Sequence, residues 1–188
     1  MLHVLILALL AQAPAAKQPP ATRKPDACAL LADADVRTVL GVTVKERRPG
    51  TQQARGLLLS QCYLGSGTAR SVSIAVAGNT KSGRKTVTPR AFWHDQFHGP
   101  DEHGADRKGE TREAARQSDT GDREGETKAR PIGGVGDEAF WSGTRVAGAL
   151  YVLRGNTFIR VSVGGISDEK ERIEKSRQLA VAAVARLQ

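Results

Sequence analysis

Aromatic residues make up only 4% of this 188-residue chain, cysteine occurs twice and methionine once. Such a composition excludes collagen-like, coiled-coil, cysteine-rich and multi-span membrane classes. The usual catalytic signatures are also missing. There is no HExxH, no GxSxG elbow and no GxxxxGK loop. Gly133-Gly-Val-Gly-Asp137 leads into a strand and not a helix, so it reads as a sharp backbone turn. Carboxylates are scarce outside residues 99–130 and the helix ends. Asp137 and Glu138 are neighbours, and on a strand they would face opposite ways. No enzyme class and no cofactor are supported.

What is present is charge, unevenly placed. The net charge is +8. Residues 17–90 hold 13 basic and 4 acidic side chains, whereas residues 99–130 hold 7 and 9. The excess lies around Lys45, Arg47, Arg48 and Arg55, and again around Lys81, Arg84, Lys85 and Arg90. Read as loops, these two stretches are candidate anion-binding segments, with Arg47, Arg48, Arg84 and Lys85 as the contact residues. No aromatic residue is interleaved among them, which argues against a stacking platform for single-stranded nucleic acid. Ordinary solvated loops would carry the same charges.

The first residues, Met1 to Ala16, run from a short apolar stretch into small residues. The stretch is shorter than the roughly 20 apolar residues a bilayer span needs. Ala13-Pro14-Ala15 fits the small-x-small rule of signal peptidase, so residues 1–15 read as a signal peptide cleaved before Ala16, although the n-region offers only His3. Residues 16–25 then form a linker. Export to a secreted or periplasmic location is expected. In such an oxidising compartment Cys28 and Cys62 would form one disulfide. Neither cysteine lies in a CxxC, and no further ligand stands at zinc spacing. Polar Lys24-Pro25-Asp26 precedes Cys28, so it is not a lipid-attachment cysteine.

From residue 26 to 188 the pattern predicts one α+β domain. Asp33 caps a short helix that carries Val36, Val39 and Leu40 and ends at Gly41. Strands follow at Val42–Lys45, Leu57–Leu64 and Arg70–Ala77, the last with Val72, Ile74 and Val76 on one side. Thr88-Pro89 opens a helix to about His98, with Phe92, Trp93 and Phe97 as its packing residues. Residues 99–130 contain no Val, Ile, Leu, Met, Phe, Tyr, Trp or Cys, and 16 of them are charged. Such a segment cannot offset its ordering entropy and reads as a disordered excursion. Strands resume at Gly136–Trp141 and Ala149–Leu153. Gly155-Asn156 turns into a third strand at Thr157–Val163. Ser167 caps a long terminal helix with Ile173, Ala180, Val184 and Leu187 on its packed face, joined by Ser176 and Val181. Gln61 to Arg70 rhymes with Glu138 to Arg145, each a strand followed by an SG-T turn. The expected fold is therefore an antiparallel sheet of about six strands, built from two similar halves with helices packed on it.

Three segments together, Cys28-Ala-Leu-Leu31 with its helix, Ser60-Gln-Cys62-Tyr63 and Pro131 to Trp141, resemble the small exported domains of unknown function found in actinobacterial lipoproteins. The arrangement is also similar to the extracellular sensor domains of some mycobacterial serine/threonine kinases. The likeness spans most of residues 28–187 outside the charged loop. It implies a Cys28–Cys62 disulfide, a PsbP-like sheet with helices on both faces, and no known reaction. The chain departs from the lipoprotein members in lacking the lipid-attachment cysteine.

Three functional expectations follow. The first is a non-catalytic exported module that binds a small ligand or a cell-envelope protein. The second is a metal-dependent hydrolase using His94 and His98, four residues apart on one helix face with Asp95 and His103 nearby. The third is anion or nucleic-acid binding through the basic loops at 45–55 and 81–90.

Overall fold

Period-two alternation in the apolar strands builds a sheet with two different faces, and the helices are placed by what each face offers. A computed structural model describes residues 26–78, 80–82, 85–99 and 129–187. The expected signal peptide (1–15), the whole expected linker (16–25), His103 and residues 100–128 of the charged segment lie outside the described residues, as does Arg84. Nothing is described of the Lys85 side chain either.

A 3-10 turn, Ala27–Leu30, precedes helix α1, Asp33–Leu40. Strands β1 (Glu46–Ala54), β2 (Leu57–Gly65) and β3 (Ser71–Gly78) form a meander. A small hairpin follows, β4 (Thr80–Ser82) and β5 (Lys85–Val87), and then helix α2, Pro89–Phe97. After the charged segment come β6 (Arg130–Pro131), β7 (Glu138–Gly143), β8 (Gly148–Arg154), β9 (Thr157–Gly164) and helix α3, Glu169–Val184. Seven strands form one antiparallel sheet in the order β1-β2-β3-β9-β8-β7-β6. The α+β expectation therefore holds, with one strand more than anticipated. The two halves meet where β3 pairs with β9, Ile74 opposite Val161.

The halves correspond, but not as the sequence rhyme aligned them. β3 and β9 are each the last strand of a meander and each leads to a helix. The SG-T turns instead join β2 to β3 and β7 to β8, so the rhyme is displaced by one strand. The helices that follow also lie on opposite faces. On one face Cys62, Leu64, Ile74, Leu150 and Val161 pack under α1 and α3. On the other, Leu57, Ala77, Leu153 and Phe158 pack under Trp93 of α2.

Several local expectations need correction. Of the expected strand Val42–Lys45, the Lys45 amide reaches the sheet, donating to the Gly65 carbonyl at 2.8 Å, and the regular strand begins at Glu46. The supposed basic loop at 45–55 is thus largely edge strand β1. It turns into β2 through Arg55-Gly56, whose φ values of 48° and 78° are both positive, as a type I′ hairpin requires. Arg130, expected in the disordered excursion, pairs with Trp141 in the sheet. Ala32 and not Asp33 occupies the N-cap position of α1, where its amide donates to the Asp35 carboxylate at 2.7 Å, and Gly41 closes the helix at φ 68°. Asp168 and not Ser167 caps α3, its carboxylate accepting from the Glu171 amide at 2.7 Å. The expected face of α3 is largely the packed one: Ser176 and Ala180 are buried and Ile173, Val184 and Leu187 pack against the core, but Arg172, Leu179 and Ala183 are buried as well and Val181 is 45% exposed.

Candidate functional site

The sheet face under α2 is only partly covered among the described residues, and its chemistry changes where the helix stops. Near α2 the outward positions are apolar. Beyond it, cross-strand neighbours Tyr63, Ser73 and Ser162 form a row from β2 through β3 to β9. The adjacent row carries Gln61, Ala75, Arg160 and Tyr151. Gln61, Tyr63, Ser73, Tyr151, Arg160 and Ser162 are all half-buried. The middle of this surface is floored by short side chains, Ser73, Ala75 and Ser162, where a solvated sheet face commonly carries long polar ones. Each flank holds an arginine on a tyrosine. The Arg48 guanidinium lies 4.9 Å from the Tyr63 ring centre and that of Arg160 lies 5.8 Å from the Tyr151 ring centre. Arg160 Nε also donates to the Tyr151 hydroxyl at 3.2 Å, and Gln61 donates to Gln52 at 2.9 Å.

A second cluster lies where the C-terminal end of α2 meets the start of β7. The Thr88 hydroxyl caps α2 by accepting from the Ala91 amide, and Pro89 occupies its first turn, as the sequence predicts. The helix thereby presents buried Trp93 to the sheet and His94 to solvent. Trp93 Nε1 donates to Glu138 Oε2 at 3.0 Å, and His98 Nε2 stands 2.7 Å from the same oxygen. The indole N–H, then the histidine, hold the Glu138 carboxyl below its ordinary pKa. Phe97 stacks on Phe140 with ring centres 4.7 Å apart, which anchors the helix end. Next to this cluster, Asp137 accepts from the Gly155 amide at 2.7 Å and from Arg154 at 2.9 Å. The Gly155 amide, followed by Arg154, lowers the Asp137 pKa.

The basic candidates do not converge among the described residues. Arg47 and Arg48 are consecutive on β1 and project to opposite faces. Arg47 is structural: it donates to the carbonyl oxygens of Cys28 at 2.7 Å and Leu31 at 3.2 Å, and pairs with Asp33 at 2.5 Å. Arg48 pairs with Glu46 at 2.6 Å, and Arg55 donates to Gln96 at 3.0 Å. Arg90 holds α2 to the β8–β9 turn by donating to Gly155 O at 3.0 Å. Cys28 and Cys62 are joined in a disulfide with their Cα atoms 5.0 Å apart. His94 and His98 are brought together, ring centres 5.8 Å apart. Among the described residues no group of three or more His, Cys, Asp or Glu is placed to hold a metal. No helix among them is long and apolar enough to cross a membrane.

Sequence reasoning missed Glu138 as a partner of α2, because 45 residues separate it from Trp93. It also missed the tyrosine–arginine pairs. The signal available was the polar side of the Thr157–Val163 alternation, where Arg160 and Ser162 share a face. Compared with known protein families, curated proteins and solved structures, the chain matches none.

Proposed function

We propose that the chain is an exported, non-catalytic domain that binds a small ligand or cell-envelope partner on the open part of the sheet beside α2. The observation that supports this reading is the half-buried polar surface of Gln61, Tyr63, Ser73, Arg160 and Ser162. A low floor between amphipathic aromatic flanks suits recognition: tyrosines bury area at little entropic cost while their hydroxyls, the serines and the amide fix orientation. Arg160 and Arg48 favour a ligand with an anionic or hydroxyl-rich group. The Cys28–Cys62 disulfide, stable in oxidising compartments, agrees with export. The likeness to exported lipoprotein and kinase sensor domains points the same way.

The test is an amide NMR titration of the full chain with envelope-derived acidic glycans and acidic peptides. Shifts should cluster at residues 61–63, 73 and 160–162. Ser73→Trp, which fills the floor, should abolish them. Shifts confined to other regions, or binding unchanged in Ser73→Trp, would refute the reading.

A further inference from the structure

We infer that His94 and His98 form a binding site for a divalent late first-row transition ion of the zinc class, with Glu138 as the carboxylate that orients His98. This site is separate from the open sheet face and does not depend on it. Two exposed histidines one helical turn apart are common. What distinguishes this pair is how His98 is held.

His98 Nε2 lies 2.7 Å from Glu138 Oε2. A carboxylate only accepts, so Nε2 is the nitrogen that carries the proton, and Nδ1 keeps the lone pair in the neutral ring. A carboxylate bonded to one imidazole nitrogen while the other faces a metal is the usual outer-shell arrangement of a metal-binding histidine; it fixes the tautomer and raises the basicity of the ligand. Glu138 is itself fixed by the N–H of Trp93, a side chain only 2% exposed within the aromatic cluster under α2. The Phe140 ring, nearly perpendicular to that of His98 with ring centres 5.8 Å apart, limits the histidine's rotation. The orientation of this exposed histidine is thus set from the core.

His94 is exposed and makes no side-chain hydrogen bond among the described residues. Its ring centre lies 5.8 Å from that of His98. An ion about 2.0–2.1 Å from each nitrogen stands roughly 3.2 Å from each ring centre, so one ion reaches both rings up to a separation of about 6.4 Å. Imidazole nitrogen suits Zn²⁺, Cu²⁺ and Ni²⁺ over the hard cations Mg²⁺ and Ca²⁺. With two protein ligands, the other positions of a tetrahedral ion fall to water or to a donor atom from a bound partner.

The test is calorimetric titration of the full chain with Zn²⁺, with the histidine ring nitrogens followed by NMR. One ion should bind per chain, and the His94 and His98 ring signals should shift together. Affinity should fall at least tenfold in His94→Ala, an exposed position where folding is not at risk, and likewise in His98→Ala. Glu138→Gln should weaken binding by roughly 10- to 100-fold, with the near-ultraviolet spectrum of Trp93 confirming that α2 stays docked. Zinc affinity unchanged in the His94/His98 double variant would overturn the site. So would the absence of binding at millimolar Zn²⁺, or binding lost in His103→Ala and retained in His94→Ala. Affinity unchanged in Glu138→Gln with Trp93 still docked would overturn the orienting role.

Discussion

Arg172 is 1% exposed, and no carboxylate is bonded to it among the described residues. Its guanidinium is held by main-chain carbonyl oxygens: Ile166 at 2.8 Å and Ser167 at 3.4 Å beside the helix start, Thr144 at 3.1 Å and Arg145 at 2.9 Å in the β7–β8 turn. The side chain therefore ties α3 to the end of a hairpin some 27 residues away. Removing it strands four oxygens whose bonds to a charged donor are each stronger than a neutral bond. Arg172→Met should cost about 3 kcal/mol or more of unfolding free energy, measured by urea denaturation. Ser176→Ala at the next turn should be neutral or stabilising, because the Ser176 hydroxyl is buried with no hydrogen-bond partner among the described residues. Arg172 was not legible as a core residue. Its charge argues for solvent, and only carbonyl groups supplied by distant segments make its burial tolerable.

The N-terminal elements are fastened to the sheet by two devices. The disulfide joins the 3-10 turn to β2, where Cys62 is 1% exposed. Arg47 reaches from β1 to the Cys28 carbonyl within that turn and the Leu31 carbonyl just after it. The bond closes a loop over a sequence separation of 34. By the chain-entropy argument this stabilises the fold by roughly 3–4 kcal/mol. The paired Cys28→Ser and Cys62→Ser variant should lose about that much, read as a lower denaturation midpoint that reductant no longer changes. Helix α2 depends on different forces, a threonine cap and an aromatic cluster. Both were legible in the sequence, from Thr88-Pro89 and from the spacing of Phe92, Trp93 and Phe97. Its partners were not legible. Phe140, Tyr151 and Phe158 lie on strands distant in sequence, and which sheet face each meets follows from register.

At the scale of the whole molecule, three carboxyls among the described residues are held below their ordinary pKa in the folded state. Glu174 falls from 4.5 to about 2 through its bonds from Arg177 and Gln178; Glu138 and Asp137 are lowered by the donors described above. A carboxyl with a depressed folded pKa adds stability that is complete above its unfolded value and is lost as pH falls through the folded one. Stability should therefore decline as pH drops from about 4.5 toward 2, as denaturation at successive pH values would reveal. Glu174→Gln should flatten that decline. The flattening should be modest, since the Glu174 side chain is 47% exposed and solvent screens its pair.

At the same scale, the sequence by itself determined the class, the strands with clean alternation, the hairpin at Gly155-Asn156 and both cysteine partners. Those features depend on local φ/ψ preference and on a period of two, which a strand carries wherever it ends up. Tertiary structure decided the rest. It made β1 an edge strand, sent Arg47 to the core side and Arg48 to the open face, and buried Arg172 of α3 against distant carbonyl groups. It also set Glu138 beneath His98. Each of these depends on which strands become neighbours, and strand order is a property of the closed sheet that no single segment encodes.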